Sequence, residues 1–369
     1  EPEPCGLRTH MGDCPSHSSH GPLASPMHRL ASVGRTGRWL VHGLASELTS
    51  NLLPGRAAPP PLSPSQGGLA VVTGATGGIG EEVCRGLAER GFEVCCAARD
   101  RRRGEALAAS IREGGGCAFY VDLDLEERRP AERLARVLRG RRVRLLVNNA
   151  GSMGGSVGAT LRVNLCAPAS LAVALWPRLG AEGRVVNVGS SSHLRAAGVS
   201  LSATDAAIDR GLRAYAQSKL GLMHVSLLLR AASAASGGPA VRDCHPGVVW
   251  TPMLRRQLGA PLCRLLEASG ASRRLFRTPQ QGAATVLWAA LSDEGHGGGG
   301  GVRAWRSEYF VDCRRDDAAA SPESRDLAAA RQSWRWLVEA EPELARRAAA
   351  ERGLARAIAE AEANSRQTG

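Results

Sequence analysis

A tyrosine and a lysine four positions apart, Tyr215 and Lys219, are the residues of this sequence whose types and spacing are most suited to chemistry. Lys219 is the only lysine among the 47 Lys and Arg residues, and Tyr215 is one of three tyrosines. Residues i and i+4 share a face of a helix, so the two side chains are expected to lie together. A nearby ammonium lowers the pKa of a phenol below its usual value of about 10. The pair therefore predicts a group that donates or accepts a proton near neutral pH.

The use of lysine in a chain that otherwise uses arginine has a chemical reason. An ammonium is a compact charge on a flexible stem, so it can reach ribose hydroxyls and stay near a phenol, whereas a guanidinium is broad and flat. The hypothesis is therefore that Lys219 binds a ribose and also lowers the pKa of Tyr215.

A glycine-rich stretch, TGATGGIG (73–80), is the second chemical signal. It lies between an apolar run typical of a buried strand and a segment whose apolar residues have helical spacing. Gly74, Gly78 and Gly80 would let the chain turn tightly and bring backbone N–H groups to a pyrophosphate at the helix N-terminus. In this context the pattern indicates a dinucleotide site rather than an ordinary turn.

The end of the second predicted strand, AARD, bears on which dinucleotide binds. An NAD site usually has Asp or Glu here to hold the ribose hydroxyls. Ala98 followed by Arg99 leaves room for a 2′-phosphate and supplies its charge partner, so NADP(H) is favoured over NAD(H). Asp100 keeps the NAD alternative open.

Strands and helices alternate along the chain from Gly68 onward. Six apolar runs, from LAVVTG to AVRDCHPG, are predicted strands, and five helical segments separate them. This alternation predicts an α/β fold, a Rossmann-type doubly wound parallel sheet with helices on both faces. The predicted organisation is an irregular N-terminal segment at 1–66, a single main domain at 67–313 and a helical C-terminal extension at 314–369.

Composition narrows the class of protein. The net charge of +12 would suit a phosphate-rich partner or an anionic membrane surface, but the arginines are scattered, so no nucleic-acid partner is predicted. Ten cysteines without regular pairing favour a reducing, intracellular compartment over a disulfide framework. The cysteines and histidines of the N-terminal segment match no zinc spacing, so no metal is predicted. No stretch approaches the length of a membrane span.

Four motifs together resemble those of the short-chain dehydrogenase/reductase family: TGATGGIG (73–80), NNAG (148–151), YAQSK (215–219) and HPGVVWTP (245–252). They occur in the order and the approximate spacing of that family. The stretches AARDRRRGEAL, VNVGSSSH and EYFVDC are similar to those of its retinol-dehydrogenase-like branch.

The resemblance implies a Ser–Tyr–Lys catalytic centre with a supporting asparagine. Tyr215 and Lys219 match the family pattern directly. The stretch RVVNVGS places Ser190 at the catalytic serine position, with Ser191 as the alternative one register away. Asn164, in RVNL, matches the supporting asparagine.

The resemblance also implies which residues border the dinucleotide. Asp122, in VDL, would hold the adenine amino group, with Asp124 as the shifted alternative. From the NNAG motif, Asn148, Ala150 and Gly151 would pack beside the adenosine half and stabilise the central strand. From the HPGVVWTP loop, Pro246, Gly247 and Thr251 would border the nicotinamide carboxamide. The implied cofactor-binding residues are Thr73, Gly74, Thr76, Gly78, Ile79, Gly80, Arg99, Asp122, Asn148, Ala150, Gly151, Tyr215, Lys219, Pro246, Gly247, Val249 and Thr251.

The reaction implied by the resemblance is interconversion of a lipophilic alcohol and its aldehyde or ketone, retinoid-, steroid- or polyprenoid-like, with NADP(H). The implied location is the endoplasmic reticulum membrane surface or the cytoplasm, with peripheral membrane contact and a homo-oligomer as further expectations. Residues 252–270 carry apolar residues at near-helical spacing, flanked by arginines. They predict either an apolar lid over the substrate or an ordinary amphipathic helix.

The sequence departs from the family pattern in two places, and the first departure supports a second hypothesis. Fifteen positions separate Asn149 from Asn164, fewer than the family normally has, which predicts a shortened helix beside the active site. The branch also commonly begins with a hydrophobic anchor, which residues 1–66 do not supply. The alternative is a catalytically impaired NADP-binding regulator or scaffold, against which the intact Tyr215–Lys219 pair argues.

Overall fold

The computed structural model of the chain describes residues 67–196, 207–293, 308–351 and 354–356. The irregular segment and the zinc spacings considered at 1–66 lie outside the described residues. The same is true of the final residues of the extension predicted at 314–369.

The strands of the described chain form one eight-stranded sheet with the order β3-β2-β1-β4-β5-β6-β7-β8. The first seven strands are parallel, and β8 pairs antiparallel with β7. The order reverses between β1 and β4, and open α/β sheets bind ligands at such a point, at the carboxyl ends of the strands. The strand bounds are β1 Gly68–Thr73, β2 Phe92–Ala98, β3 Cys117–Asp122, β4 Leu145–Asn148, β5 Arg184–Val188, β6 Ala240–His245, β7 Tyr309–Val311 and β8 Arg314–Arg315.

Helices cover the sheet, and the predicted Rossmann-type α/β fold is confirmed. A π-helical turn, Arg162–Cys166, joins α4 to α5, and a 3-10 turn, Ser191–Arg195, follows β5. The helix bounds in the described chain are α1 Gly78–Ala88, α2 Arg101–Glu113, α3 Pro130–Val137, α4 Val157–Leu161, α5 Ala167–Leu179, α6 Ala207–Ser236, α7 Pro252–Leu258, α8 Ala260–Ala268, α9 Ala271–Leu275, α10 Pro279–Leu291, α11 Leu327–Ala340 and α12 Pro342–Ala350.

Successive residues of the central strands point to opposite faces of the sheet and into two buried clusters. Val71 of β1 packs with Leu146 of β4 and Leu171 of α5 on one face. Val72 packs with Leu87 of α1 on the other face. Because both faces are covered, the strands have continuous apolar runs rather than an alternating pattern.

Two helices differ from their predicted form. The third helix begins at Pro130 and not in the EERR stretch before it, because proline fits the first turn of a helix, where its missing N–H would have no intrahelical partner. The stretch NLCAPASLAVALWPRL is not one regular helix, since residues Arg162–Cys166 form the π-turn ahead of α5.

The helical stretch Val157–Leu179, which contains α4, the π-turn and α5, is long and apolar enough to cross a membrane, with a mean hydropathy of 1.3. The expectation that no stretch reaches this length is therefore wrong. However, 72% of the stretch's most apolar window is buried inside the protein. Leu171 and Leu175 of this stretch lie in the core beneath the sheet, so packing explains its apolar composition.

The C-terminal helices share the core of the sheet domain. Trp334 and Leu337 of α11 and Leu344 of α12 are buried in the same cluster as α5. The predicted boundary between residues 313 and 314 falls inside the β7–β8 hairpin. The outer faces of these helices are on the surface, as expected, but their inner faces complete one side of the sheet.

Replacing Leu337 by alanine should destabilise the whole domain, because its fully buried side chain packs in the central cluster. Large-to-small changes at such sites cost about 2–5 kcal/mol. Leu265→Ala is the matched control, at a side chain 65% exposed on α8, and should change the free energy of unfolding by less than about 0.5 kcal/mol. Denaturant unfolding measures both variants. A separate early transition in Leu337→Ala, with the sheet unaffected, would instead show that α11 folds apart from it.

Candidate active site

The turn between β1 and α1 requires glycine at two of its positions. Gly74 has a φ of +63°, and a Cβ there would lie 2.8 Å from the Cα of Ala150. A Cβ on Gly80 would lie 2.3 Å from the carbonyl oxygen of Gly74 and 2.6 Å from Nδ2 of Asn149. Helix α1 therefore starts very close to the ends of β1 and β4, as a pyrophosphate-binding turn requires.

Thr73 and Asn149 fasten this turn to the neighbouring strand. The hydroxyl oxygen of Thr73 accepts from the backbone N–H groups of Asn149 and Ala150, both at 3.1 Å. Nδ2 of Asn149 donates to the carbonyl oxygens of Thr73, at 2.9 Å, and of Gly74, at 3.2 Å. Asn149 is absent from the predicted site: the NNAG motif indicates two asparagines, but not which of them faces the turn.

Asn148 lies within the sheet, with its side chain 2% exposed. Its Nδ2 donates to Oδ1 of Asn187 on β5 at 2.8 Å and to the carbonyl oxygen of Pro168 at 3.4 Å. These bonds give Asn148 the strand-stabilising part of its expected role. Its contact with adenosine stays a prediction.

The start of α1 fits an anionic ligand. Gly77 caps the helix without a side-chain hydrogen bond. The first N–H groups of a helix have no intrahelical partner, and the helix dipole favours negative charge there. Thr76, Gly78 and Ile79 lie at this end, and a Cβ on Gly78 would lie 3.6 Å from the methyl carbon of Thr251. The residues present therefore fit a dinucleotide that runs from the glycine-rich turn to the loop after β6.

The predicted adenosine-side residues lie at the ends of β2 and β3. Arg99 has a side chain 67% exposed, 3.4 Å from the carboxylate of Glu126. Asp122 accepts a hydrogen bond from Arg133 at 2.6 Å. Asp124 instead accepts from the backbone N–H of Glu126 at 2.9 Å and closes an exposed turn. Both carboxylates therefore have a partner within the protein, and the assignment of Asp122 as the adenine ligand, with Asp124 as the alternative, stays a prediction.

Arg103, a residue absent from the predicted site, reaches the glycine-rich turn from α2. Its Nη2 donates to the carbonyl oxygen of Thr76 at 2.6 Å. Asp100 caps α2 by accepting from the backbone N–H of Arg103 at 3.0 Å, so the acidic residue after Arg99 has a role in starting the helix. In the sequence, Arg103 is the last of three consecutive arginines, a pattern typical of a solvent-exposed helix face. Its contact with the glycine-rich turn could therefore not be predicted.

Asn164 lies in the π-turn between α4 and α5, a type of turn that is frequent at functional sites. Its Nδ2 donates to the carbonyl oxygen of Ser152 at 2.8 Å and to the hydroxyl of Ser218 at 3.0 Å. Its Oδ1 accepts from the backbone N–H of Ser152 at 2.7 Å. Helix α4 is short, with five residues, as the spacing predicts. The side chain of Asn164 is nevertheless fixed by three hydrogen bonds.

Lys219 is buried beside Asn164 and Gly151. Its Nζ donates to the carbonyl oxygen of Val188 at 2.8 Å and lies 5.7 Å from the centroid of the Tyr215 ring. A Cβ on Gly151 would lie 3.6 Å from Oδ1 of Asn164 and 3.8 Å from Nζ of Lys219. The structure thus brings Asn164, Lys219 and Tyr215 close together, at the carboxyl ends of β4 and β5.

Burial controls the charge of Lys219, whose residue is 4% exposed. Desolvation lowers its pKa from the usual 10.5 to about 8. The neighbouring thiol of Cys244 has a pKa raised by its own burial, so it stays neutral. Lys219 therefore carries most of its positive charge at pH 7 and loses it as the pH rises through about 8.

Ser190 follows the end of β5 and caps the 3-10 turn that begins at Ser191. Its Oγ accepts from the backbone N–H of Ser192 at 3.2 Å and donates to the Ser192 hydroxyl, also at 3.2 Å. Val188, two residues earlier, is the residue to which Lys219 donates. Ser190 is therefore the serine nearer in sequence to this anchored strand end, and Ser191 lies one step further along the turn.

The far end of the same turn packs on α6. Ala196 forms a small buried cluster with Ala216 and Leu220. These two residues directly follow Tyr215 and Lys219 in the chain. The turn that Ser190 caps therefore lies against the part of α6 that carries the tyrosine–lysine pair.

Arg277 shapes the loop after β6 and is absent from the predicted site. Its Nη1 donates to the carbonyl oxygen of Pro246 at 3.3 Å, and its guanidinium pairs with Asp312. Gly247 has a φ of +80°, and a Cβ there would lie 2.5 Å from Nε of Arg277. The backbone N–H of Arg277 also donates to the carbonyl oxygen of Val248 at 2.9 Å. A buried arginine thus determines the path of the predicted nicotinamide loop.

Val249 and Thr251 complete this loop. A Cβ on Gly282 of α10 would lie 2.6 Å from Val249 and 3.4 Å from Ile79, so α10 packs closely against both. Thr251 caps α7 by accepting from the backbone N–H of Leu254 at 3.4 Å. Helix α10 therefore packs against predicted cofactor residues from both the start of α1 and the loop after β6.

The chain matches the family described as short chain dehydrogenase over residues 68–260. It therefore belongs to the short-chain dehydrogenase/reductase family. Membership makes it an oxidoreductase that acts on alcohol and carbonyl groups with a nicotinamide cofactor.

Among its relatives, the chain is similar to polyprenol dehydrogenase of Mus musculus, with 36% identity over 320 residues that cover 79% of this chain and 90% of that protein. Retinol dehydrogenase 12 of Homo sapiens is 31% identical over 287 residues, which cover 73% of this chain and 84% of that protein. The expected likeness to retinol dehydrogenases is confirmed.

Solved structures agree on the fold. The structure of an uncharacterised protein from Mycobacterium paratuberculosis covers 74% of this chain and 92% of its own, with a TM-score of 0.55 and 24% identity. An NAD(P)-dependent gluconate 5-dehydrogenase candidate from Beutenbergia cavernae, with NADP bound at low occupancy, covers 66% of this chain and 94% of its own, with a TM-score of 0.51 and 27% identity.

Proposed function

We propose that the chain is an NADP(H)-dependent dehydrogenase/reductase that interconverts a lipophilic alcohol and its aldehyde or ketone, with Tyr215 as the group that gives and takes the proton. The observation that carries this proposal is the convergence of Tyr215, Lys219 and Asn164 beside Gly151. Glycine at position 151 leaves the space beside the ammonium unfilled by a side chain.

NADPH, when bound, supplies the hydride for the carbonyl carbon. In the reductive direction Tyr215 gives its phenolic proton to the carbonyl oxygen, and the hydroxyl of Ser190 donates a hydrogen bond to the same oxygen. The charge of Lys219 favours the phenolate, which makes the proton easier to release. In the oxidative direction Tyr215 accepts the alcohol proton instead.

Lys219 and Asn164 have distinct tasks in this proposal. An ammonium has three N–H groups, and the bond to Val188 uses one of them. The others suit the ribose hydroxyls and the region of Tyr215. Asn164, held by Ser152 and Ser218, would help to pass protons between the site and solvent.

The alternative of a catalytically impaired scaffold rests on the short segment before Asn164. The hydrogen bonds of Asn164 to Ser152 and Ser218 argue against it, because they hold the side chain beside Lys219 despite the short α4. A scaffold would also have no need of a buried ammonium, which is costly to desolvate.

NADP(H) is proposed over NAD(H) from the arginines at the adenosine end. Arg99 follows β2, where NAD enzymes usually have an acidic residue. Arg103 adds a second guanidinium, which contacts the glycine-rich turn at Thr76. Asp100 caps α2 by accepting from the backbone N–H of Arg103, which supports a role in starting the helix rather than that of the ribose-binding acid of an NAD site. The NADP bound to the Beutenbergia cavernae protein is consistent with this choice.

The position of helix α7 supports the proposal that this helix is part of a lid over a lipophilic substrate. The Cε of Met253 would lie 3.4 Å from a Cβ on Gly151, so α7 reaches the catalytic point. Nε2 of Gln257 donates to the carbonyl oxygen of Met153 at 2.9 Å and ties α7 to the loop after β4. The chain then breaks at Gly259, where φ is +80°, so 252–270 is two helices rather than one amphipathic helix.

Helix α8 carries the surface proposed for peripheral membrane contact. Leu262 and Leu265 are 42% and 65% exposed and lie three residues apart on one side of the helix. Cys263, on the other side, is buried. Arg264 of α8 is exposed, and the neighbouring helices α7 and α9 carry further exposed arginines. Exposed apolar side chains together with positive charge suit an anionic lipid surface. A lipophilic substrate would then enter from the membrane side of the lid.

The names of the relatives extend this proposal to a substrate class and a cellular location. Polyprenol dehydrogenase and retinol dehydrogenase 12 suggest a polyprenoid- or retinoid-like alcohol or aldehyde, with a steroid as a further candidate. Within the retinol-dehydrogenase-like branch, the sequence motifs suggest a likeness to the X-chromosome-named dehydrogenase/reductase member. The proposed location is the endoplasmic reticulum membrane surface or the cytoplasm. A homo-oligomer is also proposed, and sedimentation of the purified protein tests it.

Replacing Arg103 by alanine should weaken NADPH binding by about tenfold or more while changing NADH binding by less than about threefold, since a charge-assisted hydrogen bond contributes about 1.5–3 kcal/mol. Arg101→Ala, which removes the same charge from the same helix at a side chain paired with Glu105, is the control. Fluorescence titration measures the dissociation constants. Equal weakening of both dinucleotides in Arg103→Ala would contradict a role in binding the 2′-phosphate.

Tyr215→Phe should reduce the turnover of a lipophilic aldehyde by more than a thousandfold, because the proton donor is removed, and Lys219→Arg should reduce it by about ten- to a thousandfold. In the wild type, kcat/KM for reduction should fall as the pH rises through about 8, where Lys219 loses its charge. This fall should disappear in Lys219→Arg, since a guanidinium stays protonated. Near-normal turnover by both variants, with thermal unfolding unchanged, would refute the mechanism.

The protein should bind vesicles that contain phosphatidylserine and bind pure phosphatidylcholine vesicles weakly. Leu262→Asp with Leu265→Asp should lower binding to the anionic vesicles by about tenfold or more, since apolar contact and positive charge act together. Val137→Asp is the control, at another exposed apolar side chain, 51% exposed on α3. Co-sedimentation measures binding. If the double variant binds as the wild type does, α8 is not the membrane-contacting surface.

A further inference from the structure

His193 joins the turn that carries Ser190 to the C-terminal part of the chain. Its side chain is buried, in a residue 1% exposed. Nδ1 lies 2.7 Å from the carbonyl oxygen of Ser190, and Nε2 lies 3.2 Å from the backbone nitrogen of Ser321. A backbone N–H can only donate, so Nε2 accepts and the ring proton is on Nδ1, where it donates to Ser190. One neutral tautomer therefore satisfies both contacts.

The residues at 321–324 form a buried, hydrogen-bonded turn, named here the C-terminal brace. The backbone N–H of Ser324 donates to the hydroxyl oxygen of Ser321 at 3.1 Å, and the hydroxyl of Ser324 donates to the carbonyl oxygen of Ser321 at 2.6 Å. Both serines are buried, at 2% and 1% exposed. Such a turn presents the N–H of Ser321 to His193 in a fixed position.

A second buried histidine holds the same turn from α6. His224 lies five residues after Lys219 and is fully buried. Its Nε2 lies 3.0 Å from the carbonyl oxygen of Glu323, and its Nδ1 lies 2.7 Å from the hydroxyl of Ser333 on α11. The C-terminal brace is thus bonded both to the turn that carries Ser190 and to the helix that carries Tyr215 and Lys219.

The brace lies beyond residue 260, where the match to the short chain dehydrogenase description ends. We propose that the C-terminal brace fixes Ser190 relative to the Tyr215–Lys219 pair through His193, which acts as a positioning residue for the reaction. The inference rests on the proposed function, because it assumes that Ser190 and Tyr215 act on one substrate oxygen.

The contact between His193 and Ser321 would control the position of Ser190. Groups that act on one reacting atom must be held within a fraction of an ångström, and a displacement of about 1 Å costs roughly a hundredfold in rate. The side-chain oxygen of Ser190 bonds only within its own turn, to Ser192, among the hydrogen bonds that the described residues define. The placement of that turn therefore depends on its anchors: Lys219 bonds to Val188 before the turn, and Ser321 bonds to His193 within it. At the end of the turn, Ala196 also packs on α6.

The first test compares three changes at His193 by steady-state kinetics and NADPH binding. His193→Ala removes both contacts, His193→Asn keeps a donor where Nδ1 stands, and His193→Gln keeps an amide where Nε2 stands. We expect kcat to fall by about ten- to a hundredfold in His193→Ala and by less in the other two. The dissociation constant of NADPH should stay within about threefold, because the glycine-rich turn is untouched. Leu194→Ala, at the next residue of the turn and 57% exposed, should leave kcat within twofold.

The kinetic outcome separates a positioning role from a merely structural one. A kcat within twofold of the wild type in His193→Ala would overturn the proposal. So would a loss of kcat matched by an equal loss of NADPH binding and of cooperative unfolding in all three variants. A wild-type kcat in either His193→Asn or His193→Gln would show that one contact suffices, which also contradicts a brace that needs both.

The second test needs no substrate and distinguishes this inference from the proposed function. Amide hydrogen exchange of His193→Ala should rise together at 190–196 and at 321–324 and stay unchanged at 73–80. A rise confined to 190–196 would overturn the brace. Tyr215→Phe, measured in the same turnover assay, tests the proposed function alone: if it stays active while exchange rises at both segments, the proposed function fails and the physical brace stands.

Discussion

The hydrogen bond from the buried ammonium of Lys219 to the carbonyl oxygen of Val188 is the interaction around which the site is organised. It joins α6 to the end of β5, and it brings a charge to the point where β4 and β5 end. Burial makes that charge costly, which is why its pKa falls to about 8. The neighbourhood is accordingly built from backbone carbonyls, hydroxyls and an amide, which stabilise a cation without cancelling it.

The sequence predicts the fold well because each strand repeats the same physical signal. Buried parallel strands must be apolar throughout, and LAVVTG and its successors are. The positions of Gly74 and Gly80 are equally well predicted, since a positive φ at the first and a clash at the second exclude other residues. The π-turn at Asn164 is not predictable in the same way, because its sequence, RVNLC, has ordinary helical composition. Only the unusual spacing from Asn149 indicates an irregularity there.

The residues that sequence reasoning missed act through contacts that are remote in the chain. Arg277 reaches the loop at Pro246 and pairs with Asp312, and His193 reaches Ser321, 128 positions away. In a chain with 47 basic residues, nothing local marks Arg277 as buried or Arg103 as a neighbour of the glycine-rich turn. Their roles depend on tertiary packing, and a single sequence carries no record of which distant elements meet.

The cost of desolvating a cation, as well as the reach of the side chain, favours lysine over arginine at position 219. A guanidinium in the place of Lys219 would need several acceptors in a pocket where the described structure offers its cation the carbonyl oxygen of Val188. It would also remain charged at every working pH, so the pocket would bear the full desolvation cost throughout. An ammonium with a pKa of about 8 needs fewer hydrogen-bond acceptors than a guanidinium and stays largely charged at pH 7. It can therefore lower the pKa of a nearby phenol without a larger polar cavity. The chemistry proposed for Tyr215 therefore favours lysine at this position, whatever bias toward arginine the rest of the chain has.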